Sequence, residues 1–334
     1  MKTINKLQAH ITAVAKYVPD KVVTNYDFEE KLDTDNEWII SRTGIKERRQ
    51  ISKGKASVYM ATQAVKDIIK NRNINPLKID AIIVATITPD MFFPSCACLI
   101  QKEIGAKNAW GFDLSAACSG FLFALETAST MIQSNKYKKI IVVGVDTMSS
   151  ILDYNDRNTA VLFGDGAGAV LVEPSEYNGI IDSIMKIDGN GGKFLYMPGG
   201  GSLNPATEKT VKNGLHYVKQ DGASVFKRAI KGMTDVTLEL IKRNNLKNTD
   251  IDLFIAHQAN KRIIDLVSEK LKLQKEQTFI NIEKYANTTA ATIPIAIYDA
   301  NNSKKLKDND NLIITTFGAG FTWGATYIKW NLNE

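Results

Sequence analysis

Cysteine and histidine are scarce, with three of each in 334 residues. The three cysteines, Cys96, Cys98 and Cys118, cannot all pair, and the first two lie too close together for an easy disulfide. That count fits a reducing compartment, the cytoplasm. No CxxC pair and no HExxH motif occurs, so zinc chemistry is not expected. No apolar run approaches the roughly 20 residues that span a bilayer. The longest, IIVATI (82–87) and IIVVGV (140–145), have the length of strands. The opening MKTINKLQAHITAV lacks an apolar core and a small-residue cleavage site, and reads as no signal peptide. A dense basic tail and RNP-like stretches are also missing, so nucleic acid is not an expected partner. The net charge of +6 comes from 42 basic and 36 acidic residues spread along the chain, and suits anionic partners such as a phosphorylated substrate or an acidic protein.

What remains is an ordinary globular composition, 44% hydrophobic and 23% charged, in a chain long enough to bury a deep site. The chain also resembles itself. DIIKNRNINPLKID (67–80) matches ELIKRNNLKNTDID (239–252) without a gap, at an offset of 172 residues. Each copy ends a helical pattern, turns, and enters an apolar strand, AIIVA or LFIA. Further on, WGFDLSAACSGFLFALETAS and FINIEKYANTTAATIPIAIYDA both read as strand, small-residue turn and apolar helix. Each half closes on a Gly-rich corner and a strand, FGDGAGAVLV and FGAGFTWGATYIKW. Alternating strands and helices predict parallel pairing with helices on the sheet faces. Two such halves, 1–173 and 174–334, predict an α/β fold layered α/β/α/β/α. The insertion at 188–209, dense in glycine, reads as a loop and contains no phosphate-binding P-loop pattern.

The repeat puts three polar residues in related places. Cys118 opens a helix after the strand GFDL, Asn287 follows FINI, and His257 lies between the strand DLFIA and a helix starting near Asn260. Ligands of open α/β sheets bind beyond the carboxyl ends of strands, so the three can converge. A cysteine at a helix start is expected to ionise more easily, and a nearby imidazole to help. Its thiolate exchanges one thioester for another at little cost. His257 and Asn287 can both donate to one carbonyl oxygen, as an oxyanion hole does. Taken singly, each residue also has a plain reading: Cys118 as a small core hydrophobe, His257 as a structural histidine, Asn287 as a cap.

The ordered set TDNEWIISRTGIKERR (34–49), TPDMFFPSCACLIQ (88–101), DLSAACSGF (113–121), DRNTAVLFGDGAGAV (156–170), AHQANKRI (256–263), YANTTAAT (285–292) and FGAGFTWGA (317–325) resembles the β-ketoacyl-acyl-carrier-protein synthase III family, among the thiolase-fold condensing enzymes. The resemblance runs through essentially the whole chain. It implies Cys118 as the acylated nucleophile, with His257 and Asn287 holding the enolate left when malonyl-acyl carrier protein loses CO2. The implied reaction joins a short acyl-CoA primer to that enolate and starts fatty-acid synthesis without metal or redox cofactor; the phosphopantetheine arm comes on the partner protein. Trp38 and Arg157 resemble the pair that sandwiches the CoA adenine, Arg42 a phosphate contact, and Gly222 and Asn260 the lining of the pantetheine tunnel. Phe93 matches a residue that crosses a homodimer interface to cap the partner's acyl pocket, whose volume also depends on Phe163. Lys227, Lys231 and Arg262 form the expected carrier-protein surface, or an ordinary solvated face. The family usually has three glycines where this chain has Gly318, Ala319 and Gly320. A backbone N–H from this loop is expected to complete an oxyanion hole with that of Cys118. If position 319 needs a positive φ, its alanine costs about 1 kcal/mol; if not, the methyl narrows the pocket. The alternatives are a specialised-metabolism condensing enzyme with the same triad, a Cys-His-Asn hydrolase, and a non-catalytic carrier-binding or dimer scaffold.

Overall fold

The computed structural model describes residues 7–176 and 179–332. The first six residues of the opening stretch lie outside them. No helix among the described residues is long and apolar enough to cross a membrane.

Nine strands make the body: β1 (Gln8–Tyr17), β2 (Ala81–Ala85), β3 (Trp110–Leu114), β4 (Ile140–Asp146), β5 (Gly166–Ser175), β6 (Gly179–Ile187), β7 (Leu253–Ala256), β8 (Asn311–Gly318) and β9 (Thr322–Lys329). Their order is β7-β8-β9-β6-β1-β5-β4-β2-β3. A single pair, Ala9 with Ile180, joins β1 to β6. The ladder is thus two sheets meeting at one seam, β3-β2-β4-β5-β1 and β6-β9-β8-β7. In each, the strands expected from AIIVA and LFIA pair in parallel with the next strand of their half. Ala81 faces Ile140 and Leu253 faces Leu312, so the offset of 172 holds register for register. Every residue of β2 and β4 is buried, as continuous Ile/Val runs demand when helices cover both faces.

Two apolar helices, α3 (Gly120–Gln133) and α6 (Thr292–Asn302), lie between the sheets. Phe121, Leu125, Ile293 and Ile297 share one buried cluster with Ile83 from one sheet and Ile314 from the other. A helix apolar nearly all round is what a central layer requires. The outer faces carry α1 (Ser57–Asn71) and α2 (Cys96–Glu103) on the first sheet, and α4 (Gly222–Arg243) and α5 (Lys261–Lys270) on the second. The five layers read from the duplicated pattern are present.

Two details differ from that reading. FINI forms no strand of its own; one isolated bridge, Thr278 to Phe254, precedes it, and its last residue opens a single helical turn, Ile282–Tyr285. The repeat of β3 is therefore vestigial, since the chain leaves the sheet edge early to reach Asn287. The boundary at 173 falls inside β5, and the crossing from one sheet to the other comes after Ser175. The 188–209 segment is largely loop, with a short turn at Gly189–Gly191 and a two-residue strand, Leu195–Tyr196, paired to Lys219–Gln220.

Candidate active site

The two copies of the small-residue turn meet at the centre. Ala117–Ser119 forms a tight 3-10 turn that runs directly into α3, and Thr289–Ala291 forms the same turn before α6. The turns coincide under the 172-residue offset, and so does their strain. Ala117 has φ +48° and Thr289 has φ +50°. Non-glycine residues at such angles are uncommon, and a β-branched one is an outlier that its surroundings must hold.

Cys118 sits in the first turn, 6% exposed. Cys118 lines two cavities. A cavity of about 730 Å³ is lined by Cys118, His257, Asn287, Phe317 and Gly318 at its inner end, and by Trp38, Arg42 and Arg157 farther out. A second, of about 350 Å³ and mostly apolar, is lined by Ala116, Ala117, Cys118, Met148, Ile151 and Ala319. Phe163 lines both. His257 follows β7, its N–H donating to Thr315 O at 2.8 Å. The helix expected near Asn260 begins at Lys261, with Asn260 as its cap.

Hydrogen bonds assign the orientation of both polar partners. The Thr289 N–H donates to Asn287 Oδ1 at 2.8 Å. An N–H can only donate, so the oxygen must face it and the Nδ2 group is left for the cavity. His257 Nδ1 lies 2.7 Å from Thr292 Oγ1, and the Thr292 hydroxyl reaches Thr289 O at 3.0 Å. That hydroxyl has one proton. When it goes to Thr289 O, Nδ1 carries the imidazole hydrogen and Nε2 has a lone pair able to accept a thiol proton. When the hydroxyl turns to Nδ1, Nε2 carries the hydrogen and becomes a donor. His257 is thus a donor in one tautomer and a base in the other, which the sequence reading had not separated.

The expectation of an easily ionised cysteine is overturned. Burial pushes the Cys118 thiol up to about 12, and the nearby Asp146 carboxylate adds to this, against a smaller opposing effect of its own backbone hydrogen bond. Burial likewise brings His257 down to about 3. At neutral pH the resting pair is a thiol and a neutral imidazole. Desolvation by two closing halves outweighs the favourable dipole of the helix start.

Gly318 ends β8 against this turn. A Cβ there would fall 2.8 Å from the Cys118 nitrogen and 3.0 Å from that of Ser119, so only glycine allows the approach. Ser119 Oγ donates to Thr322 O at 3.0 Å, and the Thr322 hydroxyl lies 2.9 Å from Ala116 O. These bonds tie the nucleophile turn to the opposite half. Gly320 has φ +136°, whereas Ala319 is not among the positive-φ residues. Its alanine is therefore unstrained and lines the second cavity.

The remaining expected residues divide. Trp38 and Arg157 face each other at the outer end, with the guanidinium carbon 5.4 Å from the ring centroid; a third ring between them requires them to part. Arg157 also pairs with Asp33. Arg48, buried under Phe28, donates to Val161 O at 2.8 Å and props the cavity wall there. Asn260 uses Oδ1 for Arg262 N and Nδ2 for Arg42 O, fixing two lining residues at once. Gly222 lines the cavity at the start of α4. Lys227 and Arg262 stand at the cavity rim, Arg262 over the Phe226 ring at 5.2 Å. Lys231 lies one turn along α4, paired with Asp235. Phe93 is not brought to the site of its own chain; it is 84% exposed beside Phe92 at 80%. Asp146, Thr289 and Thr292 were missed by sequence reasoning. The offset of 172 could have flagged two of them, since it places Asp146 against Gly318 and Thr289 against Ala117.

Comparison with known proteins agrees with this architecture. The family models for 3-oxoacyl-[acyl-carrier-protein] synthase III match residues 112–189, and for its C-terminal part residues 241–330. The β-ketoacyl-[acyl-carrier-protein] synthase III of Koribacter versatilis is 52% identical over 326 residues, covering 97% of this chain and 98% of its own. The crystal structure of 3-oxoacyl-[acyl-carrier-protein] synthase III from Aquifex aeolicus superposes with a TM-score of 0.89 at 41% identity, covering 96% of this chain and all (100%) of its own. That of a priming β-ketosynthase from a polyketide pathway superposes with a TM-score of 0.90 at 29% identity, covering 100% of this chain and 99% of its own.

Proposed function

Because the chain belongs to the 3-oxoacyl-[acyl-carrier-protein] synthase III family, condensing acyltransferases that initiate fatty-acid synthesis, we propose that Cys118, His257 and Asn287 carry out that condensation in two half-steps. The observation that carries this reading is that Cys118 lines both cavities, with His257 and Asn287 lining the larger one.

In the first half-step an acyl-CoA lies along the larger cavity, its nucleotide end near Trp38, Arg42 and Arg157 and its pantetheine arm along Gly222 and Asn260. Cys118 Sγ attacks the thioester carbonyl as its proton passes to His257 Nε2. The neutral resting pair makes this a coupled transfer rather than attack by a standing thiolate. The oxyanion is held by the Cys118 N–H and a backbone N–H of the 318–320 loop. Collapse expels the CoA thiolate, which takes the proton from His257. The acyl chain occupies the smaller apolar cavity, beside Phe163.

In the second half-step malonyl-acyl carrier protein enters along the same cavity. Its carboxyl C–C bond breaks and CO2 leaves. The electron pair forms a thioester enolate, whose oxygen accepts from Asn287 Nδ2 and from Nε2–H of His257, which by then has exchanged its Nδ1 hydrogen for one on Nε2, with the Thr292 hydroxyl turned to Nδ1. The enolate carbon attacks the acyl-cysteine carbonyl. Sγ departs as thiolate and is reprotonated, and 3-oxoacyl-acyl carrier protein is released. Decarboxylation drives the bond formation, so no metal or redox group enters the reaction.

We assign the nucleophile to the first half, 1–173, and the enolate-binding pair to the second, 174–334. Lys227, Lys231 and Arg262 surround the rim where an acidic carrier protein docks. The exposed Phe92–Phe93 tip supports a homodimer in which Phe93 caps the partner's acyl cavity. Three unpaired cysteines suit the cytoplasm. The similarity to a priming β-ketosynthase favours, as a second reading, the same chemistry in a specialised pathway.

One sequence of additions tests the assignment. The protein is incubated with radiolabelled acetyl-CoA, then with malonyl-acyl carrier protein. Label is expected on Cys118, then in 3-oxoacyl product, and neither in Cys118→Ala. Acyl-enzyme that yields only free acid makes the protein a hydrolase, and label on another residue removes Cys118 from the mechanism. Transfer only to an acceptor other than malonyl-acyl carrier protein favours the second reading.

A further inference from the structure

Beneath the site lies a buried carboxylate that the reaction above does not use. Asp146, at the end of β4, is fully buried and accepts six hydrogen bonds. Its Oδ1 takes the Thr86 hydroxyl at 3.0 Å, Ile87 N at 2.8 Å, and the N–H and hydroxyl of Thr88 at 3.2 and 2.8 Å. These donors all follow β2, in the first half. Its Oδ2 takes the Thr289 hydroxyl and, at 3.2 Å, the Ala290 N–H, both in the second half. Burial pushes the Asp146 carboxyl up, and the hydrogen bonds it accepts from Thr289, Ile87, Thr88 and Ala290 oppose that rise.

Thr289 is the residue through which that anchor reaches the chemistry. Its hydroxyl is held by Asp146, its N–H fixes Asn287 Oδ1, and its carbonyl accepts the Thr292 hydroxyl that faces His257 Nδ1. A β-branched residue at φ +50° does not stay there unaided. The matching residue of the other turn, Ala117, has φ +48° and no hydroxyl to anchor. The difference falls on the half that presents the donor pair.

We propose that Asp146 is a positioning residue for condensation, holding Thr289 in its left-handed conformation and thereby aiming Asn287 Nδ2 at the enolate oxygen. The proposal rests on the assignment of His257 and Asn287 to the enolate. Asp146 contacts no substrate and lines neither cavity. Its effect is on the alignment of Asn287, so it belongs to the half-step in which the Asn287 amide donates.

Three variants test it, Thr289→Val, Thr289→Ser and Asp146→Asn. Valine keeps the shape of threonine and loses the hydroxyl, serine keeps the hydroxyl, and asparagine keeps the size of aspartate and loses its charge. For each, the rate of Cys118 acylation by acetyl-CoA is measured by mass spectrometry, and kcat and KM of condensation with malonyl-acyl carrier protein by product formation. A misplacement of a fraction of an ångström is expected to lower the ratio of condensation kcat to acylation rate by about ten- to a hundredfold in Thr289→Val, with KM for the carrier little changed. Thr289→Ser should return the ratio to near its original value. If it folds, Asp146→Asn should lower the ratio as Thr289→Val does, and the double variant should fall no further than the worse single one. An unchanged ratio in Thr289→Val, or a serine variant as impaired as the valine one, overturns the proposal. Failure of the underlying assignment is distinct, because the unmodified protein would then form no acyl-Cys118 or no condensation product.

Discussion

Gly318→Ala tests the site with the smallest possible addition. The added methyl carbon falls 2.8 Å from the Cys118 nitrogen and 3.0 Å from the Ser119 nitrogen, distances that real Cβ atoms essentially never keep. Neither obstacle can rotate away, since both are backbone. The turn they belong to is tied to β9 by the Ser119 hydroxyl on Thr322 O and the Thr322 hydroxyl near Ala116 O. Either the end of β8 or the nucleophile turn must shift by a few tenths of an ångström. Overpacking of this kind costs about 1–3 kcal/mol, and a loss in Tm of a few degrees follows. The catalytic loss is larger, because the displaced amide is the one that should receive the oxyanion. Losing one such donor costs about 10²–10³ in rate. The assay is stopped-flow acylation by acetyl-CoA, with thermal unfolding beside it. Gly189→Ala is the control. It is exposed, lines neither cavity, and its added methyl meets nothing within 4 Å. That variant should keep its acylation rate, and keep or slightly raise its stability, since replacing glycine where the backbone allows it gains about 0.4–1 kcal/mol. A Gly318→Ala protein that acylates as fast as Gly189→Ala would refute the argument from close approach.

The buried thiol and imidazole make stability depend on pH in a definite direction. His257 falls to about 3 from 6.5, so the unfolded chain binds a proton first as pH drops. Stability from this group is complete above 6.5 and declines toward 3 by about 1.4 kcal/mol per unit. Cys118 rises to about 12 from 9, so its contribution is complete below 9 and lost as pH climbs toward 12. Urea unfolding across pH 4–10 should show both limbs, and His257→Gln should lose the acid one; an acid limb unchanged in that variant would place the titration elsewhere. Alkylation of Cys118 by iodoacetamide, followed by peptide mapping, should accelerate through pH 7–10 without levelling, whereas a plateau near pH 7 would mean a standing thiolate. Reversing charge in Lys227→Glu and Arg262→Glu should raise KM for malonyl-acyl carrier protein several-fold, most at low salt, with kcat retained. Equal loss at high salt would remove the electrostatic explanation.

Much of the fold was legible because the duplication preserved its punctuation. The turn before β2 and the turn before β7 keep their spacing, and so do the strands that follow. Pairing register could be checked from numbering alone. Cys118, His257 and Asn287 were legible as candidates because strand ends in such sheets face ligands. The ionisation state of Cys118 was not. Helix position is written in local sequence, but desolvation depends on how two distant halves close over the sulfur. Thr289 was hidden for a similar reason. Nothing in its neighbours predicts a left-handed threonine, which persists only because Asp146, far away in the chain, accepts its hydroxyl. Phe93 shows a third kind of limit, since it is exposed and lines neither cavity of its own chain.

On the proposed assignment, the duplication also explains why one turn reacts and its copy does not. The offset of 172 carries Asp146 to Gly318 and Ala290 to Cys118. Against the turn of the second half, the end of β4 presents a carboxylate, and its Oδ2 accepts the Ala290 N–H at 3.2 Å. An anionic oxygen therefore already lies against the amide that corresponds to the amide of Cys118. Against the turn of the first half, the end of β8 is glycine, with no side chain to occupy that place, and an added Cβ would meet the Cys118 and Ser119 nitrogens. The same backbone frame thus binds an oxygen anion twice. One oxygen is built in, on Asp146, and stiffens the turn that aims Asn287. The other is supplied by the substrate, as the oxyanion formed when Cys118 attacks. A fixed carboxylate at 318 would fill the reactive turn with its own structural counterion, and glycine at 146 would release the turn that must stay still. The asymmetry of these two residues, in an otherwise repeated frame, divides the labour between the halves.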